Sequence, residues 1–221
     1  PELKEAIQAY YRNHFGLEYS PSEILVGSGA KPLLYEAFAC LLNPGDEVIL
    51  FAPAWVSYVE QIALCDGRPV IVETSDTHFL PSMERIEAAI TPRTVGLLLN
   101  TPNNPTGAVY SLELLEKIGN MAKDRGLWVI FDEIYERLVY GNSSHYNILK
   151  VVPSLRESTL LVNGVSKAFA MTGWRIGYAL GPQSLIEKMG SVQGHLTSNP
   201  AAVSQWASVG AIREAEPEVE V

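Results

Sequence analysis

The segment VNGVSKAFAMTGWRIGYALG at positions 162–181 carries two cations, Lys167 and Arg175, among apolar, small and aromatic residues. A single lysine is usually a hydrated surface charge. Apolar neighbours and a nearby second cation instead lower the pKa of a lysine, which makes its amine a usable nucleophile. A guanidinium stays charged and suits a phosphate dianion. The segment therefore predicts an amine nucleophile beside an anion site, with a hydrated surface lysine as the alternative for Lys167.

A second pattern with chemical potential is LWVIFDEIYE at positions 127–136, in which an apolar run ends in Asp132, three residues before Tyr135. A carboxylate at the end of a buried strand is partly desolvated, so it needs a cationic partner or hydrogen bonds to remain ionised. Aspartate is also among the best helix N-caps. The pattern thus predicts either an unusually placed acidic group near a phenol or an ordinary helix start.

Two turns could add backbone and amide groups to such a site. VGSGAKP, positions 26–32, leads into a helix, and the free N–H groups at a helix start suit phosphate. It is not a dinucleotide fingerprint, because Pro32 replaces the third glycine, nor a Walker A loop, because GK[ST] is missing. In TPNNPTG, positions 101–107, the prolines stiffen the backbone and could aim the amide of Asn103 or Asn104. A purely structural turn is the alternative in both cases.

Short apolar runs separate these motifs, and such runs are typical of strands buried on both faces. We predict strands at 23–26, 47–52, 68–73, 95–100, 127–132, 159–163 and 175–180. We predict helices at 2–15, 31–42, 55–65, 82–90 and 111–125, and throughout 182–215. This alternation indicates a single layered α/β domain with a mainly parallel sheet, in which ligands bind at the carboxyl ends of the strands.

The composition narrows the classes of function. The 221 residues are 47% apolar, which is enough for a substantial buried core. Sixteen Lys and Arg against 25 Asp and Glu give a net charge of −9, so we expect no binding to nucleic acid or anionic membranes. No apolar stretch reaches the roughly 18 residues of a membrane span. Cys40 and Cys65 lack metal-ligand or redox spacing, so we expect buried free thiols, no metal and a cytoplasmic location.

Together the four motifs describe one site with an anion cradle, an amine, an unusually placed carboxylate and a phenol. Pyridoxal 5'-phosphate requires this set, because it has a phosphate, a reactive carbonyl and a protonatable ring nitrogen. PNNPTG, DEIYE and SKAFAMTGWRIGY, in this order and spacing, also closely resemble the fold-type-I pyridoxal-phosphate enzymes of the class I/II aminotransferase family, in particular bacterial aspartate-aminotransferase-like members. The resemblance extends from PELKEAI to SQWASVGAI.

The resemblance implies a role for each matching residue. Lys167 corresponds to the lysine that forms a Schiff base with the cofactor and shuttles the substrate proton. Asp132 corresponds to the carboxylate that keeps the ring nitrogen protonated, and Tyr135 and Asn104 to the partners of the ring oxygen. The other implied cofactor contacts are Arg175, Ser166 and the backbone of Gly29, Ala30 and Lys31 at the phosphate, and Trp55 over the ring. Trp55 and Asn104 are also the implied substrate contacts, with a core position as the alternative for Trp55.

The resemblance also implies an architecture and a reaction. Residues 1–221 correspond to the large domain, a three-layer α/β/α structure with a mostly parallel seven-stranded sheet, without the family's amino-terminal arm and carboxyl-terminal small domain. The implied reaction is amino-group transfer between an L-amino acid and a 2-oxo acid. A carbon–sulfur β-lyase of the same fold and a binding module without turnover are the alternatives. Residues 194–206 resemble a stretch near the family's dimer interface, which implies a homodimer, or they form a helix break at Asn199 and Pro200.

Overall fold

The computed structural model describes residues 1–219, which form a layered structure around one β-sheet. The strands are β1 (Ile24–Gly27), β2 (Glu47–Ala52), β3 (Arg68–Glu73), β4 (Thr94–Asn100), β5 (Trp128–Asp132), β6 (Thr159–Gly164) and β7 (Gly177–Leu180). The helices are α1 (Glu2–Phe15), α2 (Ala30–Leu41), α3 (Ser57–Leu64), α4 (Met83–Ala89), α5 (Leu112–Asp124), α6 (Ile148–Val151), α7 (Gln183–Leu196), α8 (Ala202–Glu214) and α9 (Glu216–Val219). Each predicted strand is confirmed, and β2 and β3 have the predicted bounds.

The sheet is mostly parallel, as predicted. Its strand order is β1-β7-β6-β5-β4-β2-β3, and the pairs from β6 through β5, β4 and β2 to β3 are all parallel. Strand β7 is antiparallel to both β6 and β1. In the register, Asn100 lies opposite Asp132, which lies opposite Val162. The carboxyl ends of the three central strands β4, β5 and β6 therefore lie together at one edge of the sheet.

Apolar side chains cover both faces of the sheet. One core contains residues of α1, α5 and α8, such as Ile7, Ile118 and Ile212. The core on the other face contains residues of α2, α3 and α7, such as Phe38 and Ile62. Because both faces are covered, the strands are apolar runs without polar alternation. The three-layer α/β/α fold is therefore confirmed.

The carboxyl-terminal region is two helices, so the continuous helix predicted over residues 182–215 is wrong. Helices α7 and α8 are separated by residues 197–201. The amide of Ser198 donates to the carbonyl of Gln193, and Ser198 has a left-handed φ of 54°. Pro200 has no N–H with which to continue a helix. The helix break at Asn199 and Pro200, predicted as the alternative for residues 194–206, is confirmed.

Two smaller expectations also change. Strand β7 begins at Gly177 rather than at position 175, because Arg175 has a left-handed φ of 55° that extended pairing does not allow. Cys40 and Cys65 are free thiols, as predicted, but they are half-buried rather than buried. Within residues 1–219, no helix has both the length and the apolar character that crossing a membrane requires.

Candidate active site

The carboxyl edge of the sheet opens into a cavity of about 290 Å³. Strand β5 ends in the cavity at Asp132, and the chain that leaves β6 enters it at Ser166. The lining residues are Ala30, Lys31, Leu34, Trp55, Tyr58, Asn104, Asp132, Ile134, Tyr135, Ser166, Lys167, Thr172 and Arg175. All site residues predicted from the sequence are in this set except Gly29, which directly precedes Ala30. The parallel topology thus brings the four motifs to one place.

Asp132 is the buried acidic group of the cavity, with 3% of its surface exposed. The hydroxyl of Tyr58 donates to its Oδ2 atom at 2.7 Å, and the amide of Ile134 donates to its Oδ1 atom at 3.1 Å. Burial raises the pKa of Asp132 to about 6, although both hydrogen bonds act in the opposite direction. Turns rather than a helix follow β5, so the N-cap interpretation is wrong. The carboxylate is oriented into the cavity by two donors.

Asn104 and Tyr135 meet at the side of the cavity. The Nδ2 atom of Asn104 lies 3.3 Å from the hydroxyl of Tyr135 and donates to it. The backbone amide of Asn104 donates to Oδ1 of Asn100 at 2.8 Å, which fixes the loop at the end of β4. Asn103, the other amide considered, accepts bonds from the amide and hydroxyl of Thr106 and so stabilises the turn. Of the two asparagines, only Asn104 lines the cavity.

Lys167 lies in the wall of the cavity and is half-buried. Its Nζ atom is 5.4 Å from the centre of the Tyr135 ring, which makes a cation–π contact. Within residues 1–219 no carboxylate forms an ion pair with this amine. An amine that faces a cavity without a counter-ion is available to a ligand, which favours the nucleophile over the surface-charge alternative for Lys167.

The start of α2 and the Arg175 side chain form an anion cradle. Gly29 has a φ of 99°, and no side chain caps the helix that begins after it, so the backbone N–H groups of Ala30 and Lys31 are free. The amide of Gly29, which was also predicted to contact the phosphate, instead donates to the carbonyl of Gly27 at 2.8 Å. Arg175 also has a positive φ, and its Nη1 atom donates to the carbonyl of Thr172 at 2.9 Å. A Cβ atom at Gly177 would collide with the backbone of Ala30 and Gly29, so this glycine lets the cradle lie directly on β7.

Gly29→Ala should weaken binding of inorganic phosphate by about tenfold or more, the effect of losing one charge-assisted hydrogen bond. A Cβ atom there would collide with Nη2 of Arg175, and alanine also disfavours the positive φ. Isothermal titration of the purified protein with phosphate measures the effect. Gly173→Ala is the matched control, because a Cβ at Gly173 meets no atom within 4 Å. Equal phosphate affinity of Gly29→Ala and the unmodified protein would rule out the cradle.

Trp55 lies partly exposed in the cavity wall rather than in the core. It packs edge-on against Tyr58, with 5.2 Å between ring centroids and an 84° angle between the planes. The Nζ atom of Lys31 is 4.8 Å from the centre of the Trp55 ring. Lys31 therefore brings a side-chain cation into the cavity, in addition to the backbone role that was predicted for it.

Sequence reasoning missed Tyr58, Asn100 and Thr172. Tyr58 follows Trp55 by three positions, close to one helical turn, so the spacing in APAWVSY was the available signal. Asn100 holds the ends of two strands together, since its Nδ2 atom donates to the carbonyl of Asp132 at 3.0 Å. Thr172 contributes its backbone carbonyl to Arg175, a role that its side-chain type does not reveal.

The donor set fits pyridoxal phosphate. The free N–H groups of α2, the buried Ser166 and the Arg175 guanidinium match a phosphate dianion. The buried Asp132 carboxylate fits a protonated ring nitrogen, because the positive charge of that nitrogen would offset the cost of burying the carboxylate. The Asn104–Tyr135 pair can donate to a ring oxygen, and the unpaired amine of Lys167 can react with a carbonyl.

Comparison with known proteins gives the family. The sequence profile of the family Aminotransferase class I and II matches residues 1–220. The chain is 44% identical over 221 residues to an aspartate aminotransferase of Geobacillus stearothermophilus, a match that covers 100% of this chain and 56% of that protein. It is 46% identical over 217 residues to an aspartate/prephenate aminotransferase of Thermus thermophilus, which covers 98% of this chain and 55% of the relative.

Solved structures agree with the sequence relatives. The crystal structure of the aspartate aminotransferase from Rhizobium meliloti superposes with a TM-score of 0.96 at 43% identity, and the match covers 100% of this chain and 56% of that one. The chain spans about half the length of the relatives that it matches. Sequence profile, sequence identity and fold therefore agree, and the chain belongs to the aminotransferase class I and II family.

Proposed function

We propose that this chain is the cofactor-binding large domain of a pyridoxal-phosphate-dependent aminotransferase. In this proposal the complete protein transfers an amino group between an L-amino acid and a 2-oxo acid. L-Aspartate is the first amino acid to test, because the relatives named above are aspartate or aspartate/prephenate aminotransferases. The observation that carries the proposal is one cavity that combines the amine of Lys167, the buried Asp132 carboxylate and an anion cradle.

Two ends of the cavity would hold the cofactor. At one end the start of α2, Ser166 and Arg175 would bind the phosphate through backbone N–H, hydroxyl and guanidinium donors. At the other end Asp132 would accept a hydrogen bond from the ring nitrogen and keep a proton there. When bound, the cofactor supplies a carbonyl that condenses with amines and a ring that withdraws electrons from the bond being broken.

Lys167 has two tasks in this proposal. Its amine would attach the cofactor covalently, since it is unpaired and faces the cavity. With an amino-acid substrate in the cavity, the same amine would take the proton from the substrate α-carbon. Tyr135 lies within 5.4 Å of the amine, measured to the ring centre, and would keep it over the cavity.

Substrate binding would use the open side of the cavity. Trp55 offers an aromatic face, Asn104 an amide and Lys31 a cation that lies over Trp55. The Lys31 cation would attract the carboxylates that amino acids and 2-oxo acids share. For assembly we propose a homodimer, which the exposed apolar side chains of Leu196, Val203 and Trp206 within the 194–206 stretch support.

Incubating the full-length encoded protein with pyridoxal phosphate, L-aspartate and 2-oxoglutarate should yield a new amino acid and a new 2-oxo acid in equal amounts. Chromatography of both products measures the transfer, and light scattering of the same sample measures the expected dimer mass. Release of ammonia or thiol from a panel of amino acids, without a need for an acceptor oxo acid, would instead identify a β-lyase. Cofactor absorbance that no amino acid changes would identify a binding module.

A further inference from the structure

The segment that carries Asp132 and Tyr135 has a second, buried side that the proposed reaction does not use. Glu133 is fully buried and Glu136 is 8% exposed. Successive side chains at the end of a strand point to opposite faces of the sheet. Asp132 accordingly contacts Tyr58 of α3 on one face, whereas Glu133 contacts Tyr11 of α1 on the other. The backbone of one short segment therefore links the cavity to a buried polar cluster.

Glu133 is the most connected member of that cluster. Its Oε1 atom accepts from the hydroxyl of Tyr11 at 2.8 Å and from Nδ2 of Asn147 at 3.0 Å. Its Oε2 atom accepts from the same amide at 2.9 Å and lies 2.9 Å from Nε2 of His145. Both carboxylate oxygens thus act as acceptors, and their partners come from α1 and from the loop before α6.

Glu136 is bound differently, although it is only three positions away. The hydroxyl of Tyr10 and the Nδ2 atom of Asn163 both donate to its Oε1 atom, the latter at 3.2 Å. A single carbonyl oxygen could accept both of these bonds, since it has two lone pairs. A glutamine amide could therefore replace Glu136, but it could not replace Glu133, where an NH₂ group would face a donor.

Packing alone does not explain a carboxylate at position 133. Burying an acidic group is costly, and apolar side chains of similar size are often as stabilising or more so. Glu133 nevertheless lies directly between Asp132 and Ile134, whose amide orients the Asp132 carboxylate. Glu133 joins Asp132 to Ile134 in the chain. The hydrogen bonds that hold Glu133 in place therefore also fix the direction of the Asp132 carboxylate.

We propose that Glu133 is a positioning residue, which anchors the turn after β5 to α1 and the loop before α6 and thereby fixes Asp132 and Tyr135 in the cavity. This inference rests on the proposed function, because the groups positioned are those that would face the cofactor ring. The phosphate cradle is formed by other segments, α2 and the chain after β6, and Glu133 contacts neither of them through its hydrogen bonds.

Glu133→Gln in the full-length apoprotein separates positioning from general destabilisation. Binding of pyridoxal phosphate should weaken about tenfold, the effect of disturbing one buried hydrogen-bonded group, whereas binding of inorganic phosphate should change by less than about twofold. Absorbance titration measures the first and calorimetry the second. Glu136→Gln is the matched control and should leave both affinities unchanged. Tyr11→Phe removes one hydrogen-bond donor to Glu133 and should also weaken cofactor binding. This second variant tests the inference if Glu133→Gln does not fold.

Three results would overturn the inference. An unchanged cofactor affinity in Glu133→Gln and Tyr11→Phe would remove the positioning role but leave the proposed function intact. A parallel loss of both affinities would show that Glu133 supports the whole domain rather than the ring side of the cavity. Failure of the unmodified protein to bind pyridoxal phosphate would overturn the proposed function, and the positioning role with it.

Discussion

Lys167→Ala should abolish covalent capture of pyridoxal phosphate and reduce amino-group transfer by at least about 10³-fold, because one side chain would be both nucleophile and proton carrier. The amine lies in the cavity wall, 5.4 Å from the centre of the Tyr135 ring. Reduction with borohydride should fix the cofactor to the unmodified protein, and intact mass spectrometry should show the added mass. The variant should keep the unmodified mass after the same treatment.

The matched control for this experiment is Lys31→Ala. Lys31 also lines the cavity, but its Nζ atom lies over Trp55, 4.8 Å from the ring centre, on the wall formed by α2. This variant should still form the reduced adduct. If the adduct persists in Lys167→Ala and disappears in Lys31→Ala, the nucleophile has been assigned to the wrong lysine.

Most of the fold could be predicted because its strands are continuous apolar runs that are easily recognised in the sequence. Strands β2 and β3 have the predicted bounds, since runs such as EVILFA are buried on both faces and are flanked by turn residues. The boundaries that failed depend on single backbone conformations. Because Arg175 has a positive φ, β7 begins later than predicted, and the positive φ of Ser198 interrupts the carboxyl-terminal helix. The periodicity of apolar residues in a sequence does not indicate such φ values.

The site could be predicted in part for a topological reason. Parallel strands deliver the residues that follow them to one edge, so Asp132 and Lys167 could both be placed at that edge. They are neighbours because β5 and β6, the strands that precede them, are paired. Their supporting contacts could not be predicted in the same way. Tyr58 and Glu133 act through partners that are distant along the chain, Asp132 in one case and Tyr11 in the other. Only the packing of helices on the two sheet faces brings these pairs together.

Asp132→Asn should change activity and stability in opposite directions. Amino-group transfer should fall by about 10²–10³-fold, the usual effect of removing one preorganised electrostatic group. The fold should tolerate asparagine, because its oxygen can still accept from the amide of Ile134 while its NH₂ group donates to the Tyr58 hydroxyl. Kinetics of the holoprotein measure the first effect, and urea unfolding of the apoprotein measures the second.

The stability effect of Asp132→Asn should depend on pH with a defined sign. Burial raises the pKa of Asp132 from 3.8 to about 6, so the folded state binds this proton more tightly than the unfolded state does. Ionisation therefore disfavours folding progressively as the pH rises from about 4 to about 6, by about 3 kcal/mol in total. The free energy of unfolding of Asp132→Asn should accordingly match that of the unmodified apoprotein at pH 4 and exceed it at pH 8. Lower stability of the variant at pH 8 would show that the carboxylate is a structural group, and the loss of activity would then not identify a role at the cofactor ring.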